Sequence, residues 1–162
     1  MLISTSRKPS PKTRKFCKNF SHATGSTYVN RGKMNMHELL LRALEEDEVN
    51  LAVVNEIKGN PSKVTFYSNK GEILLVILIT ASLTNERLHI LPKDLTVVSR
   101  VKKLDIISKI FNFDLVDKDN SNYIFIDNGT DNLVATIEFV NKFGEKTEFK
   151  IKVRKILEEG TC

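Results

Sequence analysis

Apolar residues recur along the chain with two periods, one of strands and one of helices. Leu2–Ser4 reads as a short strand, and the polar turn Thr5-Ser6-Arg7-Lys8-Pro9 follows it. Thr13, Phe16, Cys17 and Phe20 then repeat at i, i+3, i+4 and i+7, the stripe of an amphipathic helix. Ser10 suits its N-cap, Pro11 its first position and Gly25 its end. Ser26–Asn30 reads as a second strand. Asn35 with Glu38 makes a capping box for a second helix, striped by Met36, Leu40, Ala43 and Leu44. The acidic run Glu45–Glu48 opposes the negative end of that helix and stops it near Glu46. Leu51–Ile57 and Val64–Tyr67 are strands flanking a loop over 58–63. Ile73–Thr80 is a strand whose apolar run, Ile73–Ile79, predicts burial on both faces. The order βαβαβββ predicts an α/β unit on a mixed sheet.

From about Asn85 a second unit begins. Leu88–Leu91 reads as a short strand or extended piece that Pro92 breaks. Ser99 is placed to cap a third helix with Val101, Leu104, Ile107, Ile110 and Phe111 on one face. Tyr123–Asp127, Leu133–Val140 and Glu145–Leu157 alternate as strands, and the turns at 127–132 and 141–144 predict an antiparallel meander. No Gly/Ser-rich linker parts the units, so one domain over 1–162 is expected, with similar halves near 1–84 and 85–162.

Charge changes this picture. The first 33 residues carry eight Lys/Arg (Arg7, Lys8, Lys12, Arg14, Lys15, Lys18, Arg31 and Lys33), and the first acidic residue is Glu38. A folded patch of one sign is an electrostatic footprint for a polyanion; nucleic acid is favoured over an anionic membrane surface. Arg7 and Lys8 sit ahead of a helix whose free N–H groups also favour an anion. Few aromatic residues lie near the patch, Tyr28 being the nearest outside the core stripe, which favours backbone and shape recognition over base stacking. The loop KGNPSK, with Lys58, Asn60 and Lys63, is a second candidate contact or an ordinary hairpin connection. The strand face of Lys150, Lys152 and Arg154 reads as solvated.

Catalytic chemistry is sparse. His22, His37 and His89 are scattered, and there is no phosphate-binding loop, nucleophile elbow or HExxH motif. Asp114, Asp117 and Asp119 lack the spacing of a calcium loop and read as a polar turn. No cofactor or metal is expected. Cys17 and Cys162 read as free thiols of a reducing, cytoplasmic compartment, Cys17 as a small core residue. The apolar start is too short for a secretory signal, and Pro9 and Pro11 oppose an amphipathic presequence. No apolar run is long enough to span a membrane.

The stretches ISTSRKPSPKTRKF (3–16), YVNRGK (28–33), EIKGNPSKVTFY (56–67), VDKDNSNYIFIDN (116–128) and EFVNKFGEKTEFKIKV (138–153) together resemble the Brix-domain family, close to its short archaeal members. The resemblance implies two similar α/β halves, each like the anticodon-binding domain of class II aminoacyl-tRNA synthetases. It implies a non-enzymatic RNA-binding role in processing of the ribosomal RNA precursor and in small-subunit assembly. Its motif positions are Ser6-Arg7-Lys8-Pro9 with Arg14, Arg31-Gly32-Lys33 and Lys58-Gly59-Asn60-Pro61. Partner-binding extensions of larger relatives are not expected here. A protein-interaction adaptor is the alternative, and a small nuclease or RNA-modifying enzyme a third reading.

Overall fold

A computed structural model describes residues 1–159; Cys162 lies outside them. Ten strands and three helices follow the chain as β1 (Leu2–Thr5), α1 (Pro11–Thr24), β2 (Thr27–Tyr28), α2 (Met36–Glu45), β3 (Asn50–Ile57), β4 (Asn60–Ser68), β5 (Ile73–Ser82), β6 (Thr96–Ser99), α3 (Ile106–Phe111), β7 (Asp114–Val116), β8 (Tyr123–Asn128), β9 (Ala135–Val140) and β10 (Lys146–Glu159). All ten strands form one mixed sheet, ordered β2-β1-β3-β4-β5-β10-β9-β8-β6-β7.

The same pairings occur twice. β1 lies parallel to β2 and β3, and the antiparallel run β3-β4-β5 follows. β6 lies parallel to β7 and β8, and β8-β9-β10 follow antiparallel. Antiparallel β5 and β10 join the two sets at the centre of the sheet. Even the strand exits match: the Ser6 N–H donates to Val54 O at 2.9 Å, and the Arg100 N–H donates to Ile126 O at 2.8 Å.

One sheet face carries α1 and α3. Phe16, Cys17, Phe20 and Ala23 of α1 pack with Leu104, Ile107 and Ile110 over both sets of strands. Phe20 lies at its centre, with its ring centroid 5.6 Å from Phe111, 6.4 Å from Phe139 and 6.5 Å from Phe66. The opposite face is covered only at one end, where Leu39 and Ala43 of α2 pack on Leu2, Leu51 and Val53. Burial pushes the Cys17 thiol up to about 12, as befits a small apolar filler.

Several expectations change. The helix expected from Ser99 is instead the end of β6, a 3₁₀ turn at Lys102–Leu104 and the short α3. Ser99, the expected cap, is taken by parallel pairing with β8 beside Ile126, and its hydroxyl bonds only to the Val101 backbone. β7 covers Asp114–Val116, within the stretch read as a polar turn. Leu88–Leu91 is not a strand, and His89 has a left-handed φ of +56°. Ile73 is 40% exposed and Leu74 and Leu78 are half-buried, so the apolar strand β5 is covered fully on one face alone.

Candidate nucleic-acid interface

The basic residues gather where β1 and β3 end side by side. These strands run parallel, with Thr5 paired to Val54, so the loop after β1 and the hairpin after β3 leave the same sheet edge. Carboxyl ends of parallel strands are where α/β sheets generally place ligands. The loop carries Arg7 and Lys8, both exposed. The hairpin is tighter than expected. Its turn is only Lys58-Gly59, and β4 already begins at Asn60. Both turn residues have positive φ, +52° and +79°, the requirement of a type I′ turn. Lys8 is left-handed too, at +54°. Two lysines in a conformation that L-residues avoid thus stand on one surface, held by their surroundings.

Polar bonds lock the loop, helix and hairpin together. The Ser10 hydroxyl donates to Gly59 O at 2.7 Å and accepts the Thr13 N–H at 3.2 Å, the N-cap bond. The Glu56 carboxylate accepts the Ser10 N–H at 3.0 Å and the Thr13 hydroxyl. These bonds, with the nearby Arg14 charge, hold Glu56 below the usual carboxylate range. The anion site expected at the start of α1 is therefore filled by the protein's own carboxylate. Pro11 has no N–H to offer, so a ligand here meets side chains more than the helix end.

The cations divide into connected groups. Arg7 donates to Met34 O at 3.4 Å, which ties the loop to the turn that carries Lys33, an exposed residue. Arg14, exposed, reaches back to Pro9 O at 3.1 Å. Lys12, Lys58 and Asn60 line an open groove of about 470 Å³ with Ile57, Pro61 and Arg154. Lys15 and Lys18 continue along the outer side of α1, half-buried and exposed respectively.

Arg31 departs from this pattern. It is 8% exposed and donates to Thr5 O at 2.7 Å and Met34 O at 2.8 Å. Burial first, then the Arg7 charge, lowers its guanidinium below the ordinary range. It braces the end of β1 against the turn before α2 and offers little to a ligand. Lys63 is also set apart. It shares the strand parity of Tyr67, which packs in the α2 cluster, whereas Val64 and Phe66 face α1.

Arg154 is the residue that sequence reasoning missed. The alternation of β10 placed it with Lys150 and Lys152 on a solvated face. A bulge between Val153 and Lys155 in the pairing with β5 leaves it outside the ladder and lining the basic groove. Only the register of a strand more than ninety residues away in sequence from Lys58 reveals it. Among the described residues Asp114, Asp117 and Asp119 form no ligand cluster: Asp114 starts β7, and Asp119 accepts from the Thr96 hydroxyl at 2.8 Å and the Asn120 N–H at 2.7 Å. Among the described residues no helix is long and apolar enough to cross a membrane.

No family model matches the chain. It is 44% identical over 71 residues to a probable Brix domain-containing ribosomal biogenesis protein of Methanothermobacter thermautotrophicus, covering 44% of this chain and 43% of that protein. A protein of the same description from Methanosarcina mazei is 46% identical over 78 residues, 48% of this chain and 47% of the relative. The chain thus spans about half the length of the curated relatives it matches. In structure it resembles Mil, an archaeal Imp4-like protein, with a TM-score of 0.85 and 26% identity over 97% of this chain and 98% of that one. A probable ribosomal biogenesis protein of Aeropyrum pernix shares the fold, with a TM-score of 0.76 and 23% identity over 99% and 98% of the two chains. Similar in sequence over about half its length and in fold over nearly all of it, the chain is a relative of the archaeal Brix-domain ribosomal biogenesis proteins.

Proposed function

We propose that the chain is an RNA-binding factor that acts, without bond chemistry of its own, in processing of the ribosomal RNA precursor and in small-subunit assembly in the cytoplasm. The observation that carries this reading is the placement of Arg7, Lys8, Lys12, Arg14 and Lys58 on a loop, a helix start and a hairpin that hydrogen bonds tie together, with Lys33 on the turn that Arg7 reaches and the Glu56 carboxylate engaged by Ser10 and Thr13. Such a surface neutralises successive phosphates, while Arg31 and the Ser10–Gly59 bond hold its loops in place. Lys15, Lys18 and Arg154 extend it, and Asn60 adds an amide donor to the groove. The repeated five-strand pairing supports the proposal that each half is a unit of the anticodon-binding kind.

The test is binding to a precursor small-subunit RNA fragment across a salt series, with tRNA as competitor. Each phosphate contact contributes about −0.7 to −0.9 to the log–log slope. Replacing Arg7, Lys8, Arg14 and Lys15 by Ala is expected to flatten the slope by about two to four units. An unchanged slope removes this surface as the RNA site.

A second reading, an adaptor for a protein partner, is favoured by one observation. Leu41 and Leu44 on the outer side of α2 are 45% and 51% exposed, and Val49 just beyond is 69% exposed. If the salt slope is flat, that apolar strip is where the weight moves.

A further inference from the structure

The loop between β5 and β6 carries a feature that the proposed backbone clamp does not use. It is pinned at three places. Asn19 of α1 exchanges two bonds with Thr84, each 3.0 Å. Asn122, buried, does the same with Leu91, accepting its N–H at 2.7 Å and donating to its carbonyl at 2.8 Å. Between them the Lys142 N–H donates to His89 O at 2.9 Å. That last bond joins the loop to the β9–β10 turn, where buried Asn141 accepts the N–H groups of Phe143 at 2.9 Å and Glu145 at 3.0 Å. Gly144 has a φ of +78°, and a Cβ there would meet Asn120 O at 3.0 Å.

This rigid frame presents an aromatic pair to solvent. The His89 and Phe143 ring centroids are 5.4 Å apart, with Lys142 Nζ 5.2 Å from the Phe143 ring. Phe143 is nevertheless 61% exposed. A solvent-exposed Phe on a turn stabilises no core, and left-handed His89 is the kind of strain that collects at ligand sites. Two grooves flank the pair. One, of about 410 Å³, is lined by His22, Arg87, His89 and Lys142, with Glu86, on the side of α1. The other, of about 630 Å³, is lined by Arg87, Lys146, His89 and Phe143 with Glu86, Glu145 and Glu148.

The position matters as much as the chemistry. Exposed Lys12, Lys18 and His22, with half-buried Lys15 between, run along the outer side of α1 from the basic surface to this loop. Fourteen residues at about 1.5 Å each make that path about 21 Å, the span of a few nucleotides of unpaired strand.

We propose that Phe143 and His89 form a stacking platform for an unpaired nucleobase, placed at the far end of the α1 phosphate track. The proposal rests on the RNA reading above and adds that the bound RNA is single-stranded at this point. Lys142, Arg87 and His22 steer its phosphates along the α1 side. The second groove, beside the Phe143 ring, takes the base, and the carboxylates of Glu145 and Glu148, which line this groove and not the first, can accept hydrogen bonds from its amino groups.

The probe is a single-stranded RNA of about twelve nucleotides, with a duplex of the same length as control. Phe143→Ala is expected to weaken single-strand binding about tenfold with the salt slope unchanged, and Phe143→Tyr to restore it. Binding of the duplex is expected to be indifferent to both. The chain has no Trp, so Phe143→Trp supplies a single tryptophan whose emission a stacked base quenches. Wild-type affinity in the Ala variant, or unchanged Trp emission at saturating RNA, overturns the platform and leaves the backbone clamp standing. Absence of RNA binding by the wild-type chain overturns both.

Discussion

The two sets of strands repeat one pairing scheme but are equipped differently at each equivalent point. After β1 comes a loop with exposed Arg7 and Lys8, a capped start at Ser10 and fourteen residues of α1. After β6 comes Arg100, then a 3₁₀ turn and the six residues of α3, whose N-cap Asp105 makes no side-chain bond. Arg100 is engaged locally: it lies over Phe125 at 5.1 Å and reaches Asp127 at 3.8 Å. Between β2 and β3 the chain inserts α2, whereas between β7 and β8 only residues 117–122 intervene. The first set therefore has helices on both sheet faces and the second on one. What this teaches is that strand pairing specifies the frame, and the connections specify use. A long capped helix gives a straight cationic track; a short uncapped one serves packing alone.

That contrast can be broken most severely in the core. Phe20→Ala removes the ring that touches aromatic residues of both sets and is expected to cost about 4 kcal/mol, against about 2 kcal/mol for Ile110→Ala in α3. Urea denaturation of the two variants compares them; equal losses mean that α1 is no more central than α3.

The functional side of the contrast is sharpened by charge. Lys102→Ala with Lys109→Ala, on the second set, is expected to leave the RNA salt slope within about half a unit of the wild type, while the four-residue variant of the first set loses two to four. A matched loss would make both halves RNA-binding.

Smaller effects concern how α1 is anchored. Glu56→Gln weakens the bonds to Ser10 and Thr13 and is expected to cost about 1–2 kcal/mol at neutral pH. Because folding lowers the pKa of Glu56, its contribution is present above about pH 4.5 and fades as the pH falls through the lower folded value. The stability difference between wild type and variant should therefore shrink in acid; a constant difference would assign the effect to shape. Smallest, Ser10→Ala is expected to cost about 1 kcal/mol, and Asp105→Ala to cost nothing or to stabilise slightly, since Asp105 Oδ1 is buried without a partner. Thermal melts at one pH compare the two caps.

The linear chain by itself determined which segments are helices or strands wherever the signal is local. The α1 stripe, its Ser10 cap and Gly25 end, the Asn35 cap of α2 and the closing meander all follow from neighbouring residues. The charge asymmetry, with no acidic residue in the first 37, is likewise read from the sequence without any fold. Tertiary structure alone decided what depends on distant partners. β6 and β7 exist because each finds a parallel neighbour, which four or three residues cannot announce. Arg31 is hidden because two carbonyls happen to face it, and Glu56 rather than a ligand fills the start of α1. Arg154 joins the groove through a bulge, and Phe143 meets His89 through loops pinned by Asn19, Asn122 and Asn141. Local propensity acts over a few residues, whereas sites are assembled by pairing register and loop closure, which act across the whole sheet.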